Sequence, residues 1–150
     1  MNLNIKKLHP NAKMPTYGTD GAACFDLYAA TVDGYEHTGS VIYGGKPVVV
    51  GTGLAFDIPE GWCLMVYSRS GMGFKYGIRL ANGTGVIDYD YKGELMIKLV
   101  CDEEDGMYRI DPGSRVAQAK LEPVERCTFT EVDTLPDTER GTRGLGSTGR

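Results

Sequence analysis

A chain of 150 residues is short enough for one domain and long enough to bury roughly 68–70% of its unfolded surface, so a core is expected and no second domain is needed. With 16 Lys and Arg against 20 Asp and Glu, net −4, it has no basic face of the kind that binds duplex nucleic acid; its apolar runs, such as Trp62 to Tyr67, are far below the roughly 20 residues that cross a membrane. Its 21 glycines, about twice the usual share, separate short runs of Val, Ile, Tyr and Thr, which points to an all-β fold.

Lys6 and Lys7 have no apolar block behind them and so make no signal peptide, which leaves a soluble cytoplasmic or nuclear protein as the expectation. Cys24, Cys63, Cys101 and Cys127 are evenly spread, without a C-x-x-C pair and with only His9 and His37 as imidazoles. Zinc spacing is absent, and four buried, reduced thiols without disulfides are expected.

Leu3, Ile5 and Leu8, with Lys6 and Lys7 between them, predict an opening strand that His9-Pro10 ends. Turn residues dominate Met14 to Gly21, and Ala22 to Ala30 reads as a second apolar strand interrupted by one carboxylate, Asp26. That charge belongs either on a wet face or in a buried pair with an arginine, because an unpaired buried carboxylate is costly. Asp33 to Gly45 is a Gly- and Tyr-containing connection with little signal. Pro47 to Pro59 reads as strand, bend and strand, kinked or bulged at its glycines; Pro59-Glu60-Gly61 turns, and Trp62 to Tyr67 is the next strand. Ser70 to Tyr76 is the one credible short helix. Before it, Arg69 offers forked donors, Ser70 a hydroxyl and Gly71 unencumbered N–H groups, which suit an anion; Ser-x-Ser-Gly is also an ordinary N-cap.

The rest is organised around Arg79 to Val100. Val86-Ile87 and Leu95 to Val100 flank Asp90-Tyr91-Lys92-Gly93, predicting a β-hairpin whose reversal takes its positive φ from Gly93. Leu95, Ile97 and Leu99 alternate with Met96, Lys98 and Val100, so one face enters a core. Gly83, Gly85 and Gly93 leave backbone open to a flat polar ligand such as a nucleobase, while Asp88, Asp90 and Tyr91 crowd the turn as site members or as common hairpin residues.

Asp102 to Gly106 is an acidic loop, Tyr108 to Ile110 a short strand, Asp111 to Ser114 a turn and Arg115 to Val124 a strand. There the alternation puts Gln118 on the face of Val116 and Lys120, either buried with partners or half exposed. Residues 1–136 form the expected β domain. The glycine- and arginine-rich arm 137–150 cannot hold itself folded; it is an idle tail or one that orders around a polyphosphate.

Taken in order, five segments resemble the motifs of the trimeric deoxyuridine triphosphate nucleotidohydrolases (dUTPases) over residues 22 to 149. They are Asp26 within Asp-Leu-Tyr-Ala-Ala, Arg69-Ser70-Gly71, Gly85-Val86-Ile87-Asp88-x-Asp90-Tyr91-x-Gly93, Arg115-Val116-Ala117-Gln118, and Arg140-Gly141-x-x-Gly144-x-Gly146-Ser147-Thr148-Gly149. The resemblance implies an all-β distorted jelly roll, or β-clip barrel, with one short helix near 70–76, and a homotrimer with active sites at its interfaces. It implies Mg²⁺-dependent hydrolysis of dUTP to dUMP and pyrophosphate, keeping uracil out of DNA and supplying dUMP for thymidylate synthesis.

By the same resemblance Asp88 is the general base for the attacking water. Asn82 and the backbone around Gly85, Val86, Ile87 and Met96 read uracil, and Tyr91 packs under the deoxyribose and excludes a 2′-hydroxyl. Arg69, Ser70 and Gly71 bind the phosphates and Gln118 the α-phosphate region. Asp26 lies near the metal, acting through water, and Mg²⁺ is held mainly by triphosphate oxygens and waters. Arg140, Leu145, Gly146 and Ser147 belong to an arm closing over a site formed by neighbouring subunits.

Three positions depart from the family pattern: Ser68 replaces a frequent proline, Leu145 a stacking aromatic and Arg143 a small residue. The dCTP deaminase branch of the fold is the nearest enzyme alternative, but the glutamate it uses as proton shuttle would fall near Lys98, and Gly71 stands where it prefers serine. The alternative from another class is a dUTP-binding regulator, with Asp33 to Gly45 as its partner surface. A capsid-like jelly-roll module would explain the strands and not the ordered polar motifs.

Overall fold

A computed structural model describes residues 1–144. Short β-prone runs cut by turn residues become thirteen strands and one helix among the described residues. In chain order they are β1 (Asn4–Lys7), β2 (Thr16–Tyr17), β3 (Phe25–Tyr28), β4 (Thr31–Val32), β5 (Ser40–Tyr43), β6 (Val48–Gly51), β7 (Leu54–Asp57), β8 (Trp62–Tyr67), α1 (Ser70–Tyr76), β9 (Ile78–Leu80), β10 (Thr84–Ile87), β11 (Met96–Cys101), β12 (Met107–Ile110) and β13 (Arg115–Pro123). A five-stranded sheet runs β10-β8-β13-β3-β2 and a four-stranded sheet β4-β6-β11-β9; β1 with β7 and β5 with β12 make two ribbons. The pairs are antiparallel, and the whole is a jelly-roll-like all-β fold.

Period-two alternation decides what is buried. Phe25 and Leu27 point inward from β3 while Asp26 and Tyr28 look out, and Leu64 and Val66 do the same from β8. Val50, Leu80, Ile97 and Leu99 come from the other sheet into the same contiguous core, as the Leu95, Ile97, Leu99 alternation requires. Helix α1 buries only Met72; Gly77 ends it at φ 61°, where its N–H reaches the carbonyls of Met72 and Gly73.

Several expectations are corrected. The central stretch is not a hairpin: β10 pairs with β8 and β11 with β6 and β9, so the two arms part into different sheets after the Asp88–Tyr91 turn, where Tyr91 N–H donates to Asp88 O at 3.2 Å. Gly93 is not among the positive-φ glycines. Asp33 to Gly45 contains a strand, β5, which finds its partner in β12, some 65 residues downstream (Ile42↔Tyr108); a pairing that distant leaves no local signature. The run Ala22 to Ala30 is strand only over β3.

Two further corrections concern side chains. The serine cap before α1 is not formed: Arg69 is the N-cap and no side chain caps it. Of the cysteines, all free, only Cys63 and Cys101 are buried; Cys24 is intermediate and Cys127 exposed. The strands end at Pro123, and residues 124–144 are exposed without regular structure. No helix among the described residues is long and apolar enough to cross a membrane.

Candidate active site

Strand β13 brings the first group of predicted residues together. Its Gln118 stands opposite Asp26 on β3 and Tyr67 on β8, so all three side chains share the outer face of the five-stranded sheet. A register shift between Arg115 and Ala117 lets both Val116 and Ala117 enter the core, and past it Gln118 lies on the face opposite Ala117 and Ala119. The simple alternation that grouped Gln118 with Val116 is overturned by that bulge. Gln118 is half-buried and its amide donates to Ser68 O at 2.9 Å.

Asp26 is the arginine-paired carboxylate. Its side chain is 13% exposed, Arg69 Nε donates to Oδ1 at 3.0 Å and Arg115 Nη1 to Oδ2 at 3.2 Å. The residue that sequence reasoning gave no role is Arg115; its signal was the charge itself, opening a strand otherwise destined for the core. Ser68, the departure from proline, ties this corner to the next strand by accepting the Leu80 N–H on its hydroxyl at 2.9 Å. Ser70 and Gly71 open α1 beside Arg69, and Met72 and Gly73 N–H groups donate back to Arg69 O. Two guanidinium groups on one carboxylate leave net positive charge at this corner, the requirement for an anion.

The second group lies where β10 and β11 diverge. Leu95 O accepts from the N–H of Thr52, in the link between β6 and β7, and Leu95 N–H donates to Leu54 O on β7, while Lys98 O accepts from Ala81 N–H. By the alternation of an antiparallel ladder, Met96 N–H and C=O therefore face the gap toward β10. On the other side Val124 N–H donates to Gly61 O; counting in twos along β13, β8 and β10 pairs Gly85 and Ile87 with β8 and turns the N–H and C=O of Val86 to the same gap. Two free strand edges thus face one another across a slot of about 280 Å³ lined by Asn82, Gly85, Ile87, Met96 and Lys98 over Val66 and Leu80. A second cavity of about 260 Å³ continues from it past Ile87 and Met96 to Tyr91 and Asp88.

Tyr91 is fixed by its own turn, its hydroxyl donating to Glu94 O at 2.9 Å. A Cβ on Gly93 would lie 2.6 Å from Tyr91 Oη and 2.8 Å from Cζ, so the bare glycine makes room for the ring; this is its role in place of the expected positive φ. Asp88 is one position beyond Ile87↔Leu64 and so adjoins Cys63, whose thiol is pushed up by burial and then by the carboxylates of Glu122 and Asp88.

Asp88 and the arginine corner stand apart within one chain, although the near end of the slot, at Val66 and Leu80, lies beside Ser68. From Cys63, level with Asp88, to Arg69 is six residues along and beyond β8, about 20 Å at the usual strand rise of roughly 3.3 Å. Arg140 lies in the exposed segment after β13, and Leu145, Gly146 and Ser147 lie outside the described residues. A larger apolar cavity of about 560 Å³, between β1 and the edge of the five-stranded sheet, holds none of the predicted site residues.

A slot lined by paired backbone donors and acceptors, an aromatic ring at its mouth, a carboxylate beyond it and an arginine-rich corner on the same fold are the parts of a nucleotide-hydrolysing enzyme of the jelly-roll-like all-β class. A dUTPase family model matches residues 10–149. The chain is 41% identical to the deoxyuridine 5′-triphosphate nucleotidohydrolase of Nautilia profundicola over 100% of both proteins, and 40% identical to that of Helicobacter hepaticus over 99% of this chain and 89% of the relative. A mutant form of the dUTPase of Staphylococcus bacteriophage 80alpha, solved with dUpNHpp, superposes with a TM-score of 0.86 at 27% identity, covering 99% of each chain. The chain belongs to the dUTPase family, and its activity is the hydrolysis of dUTP.

Proposed function

We infer that the working site is shared between copies of the chain: Asp88 and the base slot of one copy act on a triphosphate held at the Asp26–Arg69–Gln118 corner of another, in a homotrimer. The separation of about 20 Å between Asp88 and Arg69 within one chain supports this reading. Uracil presents acceptor, donor and acceptor along O4, N3–H and O2, and the facing N–H and C=O groups of Val86 and Met96, with Asn82, supply the complement; cytosine, with a donor at position 4, does not match. The Tyr91 ring lies under the sugar, where a 2′-hydroxyl would meet carbon and lose its water.

Asp88 takes a proton from a water that attacks the α-phosphorus; the new P–O bond forms as the bond to the bridging oxygen breaks, and pyrophosphate leaves with that electron pair. Arg69, the Ser70 hydroxyl, the backbone at Gly71 and the Gln118 amide hold the phosphate oxygens in line, and Arg140 with the arm residues Leu145, Gly146 and Ser147 closes the site. For Mg²⁺ the donor set matters: among the described residues no three His, Cys, Asp or Glu side chains group to hold an ion, and both Asp26 oxygens are taken by arginines. This fits an ion that arrives on the triphosphate with its waters, Asp26 lying beyond that water shell. Bound there, Mg²⁺ would neutralise charge on the leaving pyrophosphate.

Pyrophosphate release from dUTP, dCTP, dTTP and UTP, compared between wild type, Asp88→Asn and a truncation after Pro136, tests the assignment. Release from dUTP alone, reduced by about 10²–10⁴ in Asp88→Asn and reduced by the truncation, is expected. Full activity in Asp88→Asn would remove Asp88 from the role of base.

A further inference from the structure

Lys98 is the one charged side chain among the residues lining the base slot, and no motif accounts for it. It lies on β11 two residues beyond Met96, on the same outward face, with Ile97 turned into the core between them. Its cross-strand neighbours are Val49 on β6 and, through the Ala81 N–H to Lys98 O bond of 2.8 Å, Ala81. Neither carries a carboxylate. Beyond Val49, the carboxylate of Asp33 accepts the Val49 N–H at 3.0 Å, and Asp102, past the end of β11, is engaged by both Nε and Nη2 of Arg79, at 2.7 and 2.9 Å. Among the described residues Lys98 makes no ion pair.

An ammonium without an ion-pair partner among the described residues, at the rim of a slot whose other lining residues are uncharged, is free to donate to what enters the slot. We propose that Lys98 is a specificity-determining residue that reads the exocyclic group of the pyrimidine. An ammonium carries three donors and no acceptor, so it favours the carbonyl of a 4-oxo pyrimidine and meets the amino group of a 4-amino pyrimidine donor against donor. It adds to the backbone pairing by Val86 and Met96, on whose reading as the base site this inference rests. Because Lys98 is exposed, water takes up part of what is lost when it is removed, and the effect is on the order of three- to tenfold.

The test uses the full-length chain as wild type, Lys98→Met and Lys98→Arg, with kcat and KM for dUTP and dCTP and calorimetric binding of dUMP and dCMP. Lys98→Met is expected to raise KM for dUTP roughly three- to tenfold with kcat unchanged, to leave dCTP turnover equal or improved, and to lower the dUMP over dCMP preference by the same factor. Lys98→Arg restores the preference. An unchanged ratio in Lys98→Met, or an equal loss for both nucleotides, would overturn the proposal while leaving the base slot standing. Wild-type binding of dUMP no tighter than dCMP would overturn the slot reading itself, and this inference with it.

Discussion

Replacing Asp26 by Asn keeps the shape of the side chain and removes the charge that two arginines share. The contact to Arg69 is three-quarters buried, and a charge-assisted hydrogen bond of that kind contributes about 1.5–3 kcal/mol. The Arg115 contact, half exposed at 51%, adds about 0–1 kcal/mol. Asn also turns either its oxygen or its NH₂ toward a guanidinium, so at most one bond survives. The expected loss is about 2 kcal/mol, or a fall of about 4–8 °C in Tm for a chain of this size. Urea titration and thermal melting at one fixed protein concentration measure it, and the same preparation should show a raised KM for dUTP because Arg69 loses its orientation. A change in stability below about 0.5 kcal/mol together with an unaltered KM would refute the claim that Asp26 sets the phosphate corner.

Gly93→Ala pushes the Tyr91 ring aside by placing Cβ 2.6 Å from its hydroxyl, so the variant should fold and yet lose about tenfold in its dUTP over UTP preference, read by pyrophosphate release. Alkylation followed by mass mapping should label Cys127 first, with Cys63 and Cys101 protected; burial holds the Cys63 thiol above its usual pKa, so its labelling should climb only at alkaline pH. Asp57, hydrogen-bonded by Lys92 and Asn4, has its carboxyl held below the ordinary value. A depressed folded pKa gives stability that is present above the unfolded carboxylate pKa of about 3.9 and lost as pH falls through the folded value. The denaturation midpoints of wild type and Asp57→Asn should therefore differ at pH 7 and converge in acid, as the pH falls below the folded value.

What could be read from the residues was what local chemistry dictates. Trp62–Tyr67 and Ser70–Tyr76 fall on their expected bounds because each is closed by a local device, Gly61 in its turn and Gly77 past the helix. The inward set Leu95, Ile97 and Leu99 followed from alternation alone. What could not be read depended on distant partners. The divergence of β10 and β11 is decided by β8 and β6 competing for their edges, and a hairpin signal is blind to such competition. β5 exists because β12 pairs with it, and Gln118 changes face because one extra residue bulges at Val116. The order of the polar motifs pointed to the family, but the Arg115 contact to Asp26 needed β3 and β13 side by side.

The claim that one copy supplies Asp88 and another supplies Arg69 is tested most directly by complementation. Asp88→Asn and Arg69→Gln are each prepared alone, both expected to release little pyrophosphate from dUTP, then unfolded together in equal amounts and refolded. A shared site at a closed, rotationally symmetric interface predicts that about one site in four in the mixture regains both residues, with dUTP turnover rising to about a quarter of wild type. A mixture no more active than its two parents would contradict the account and place the whole site within one chain.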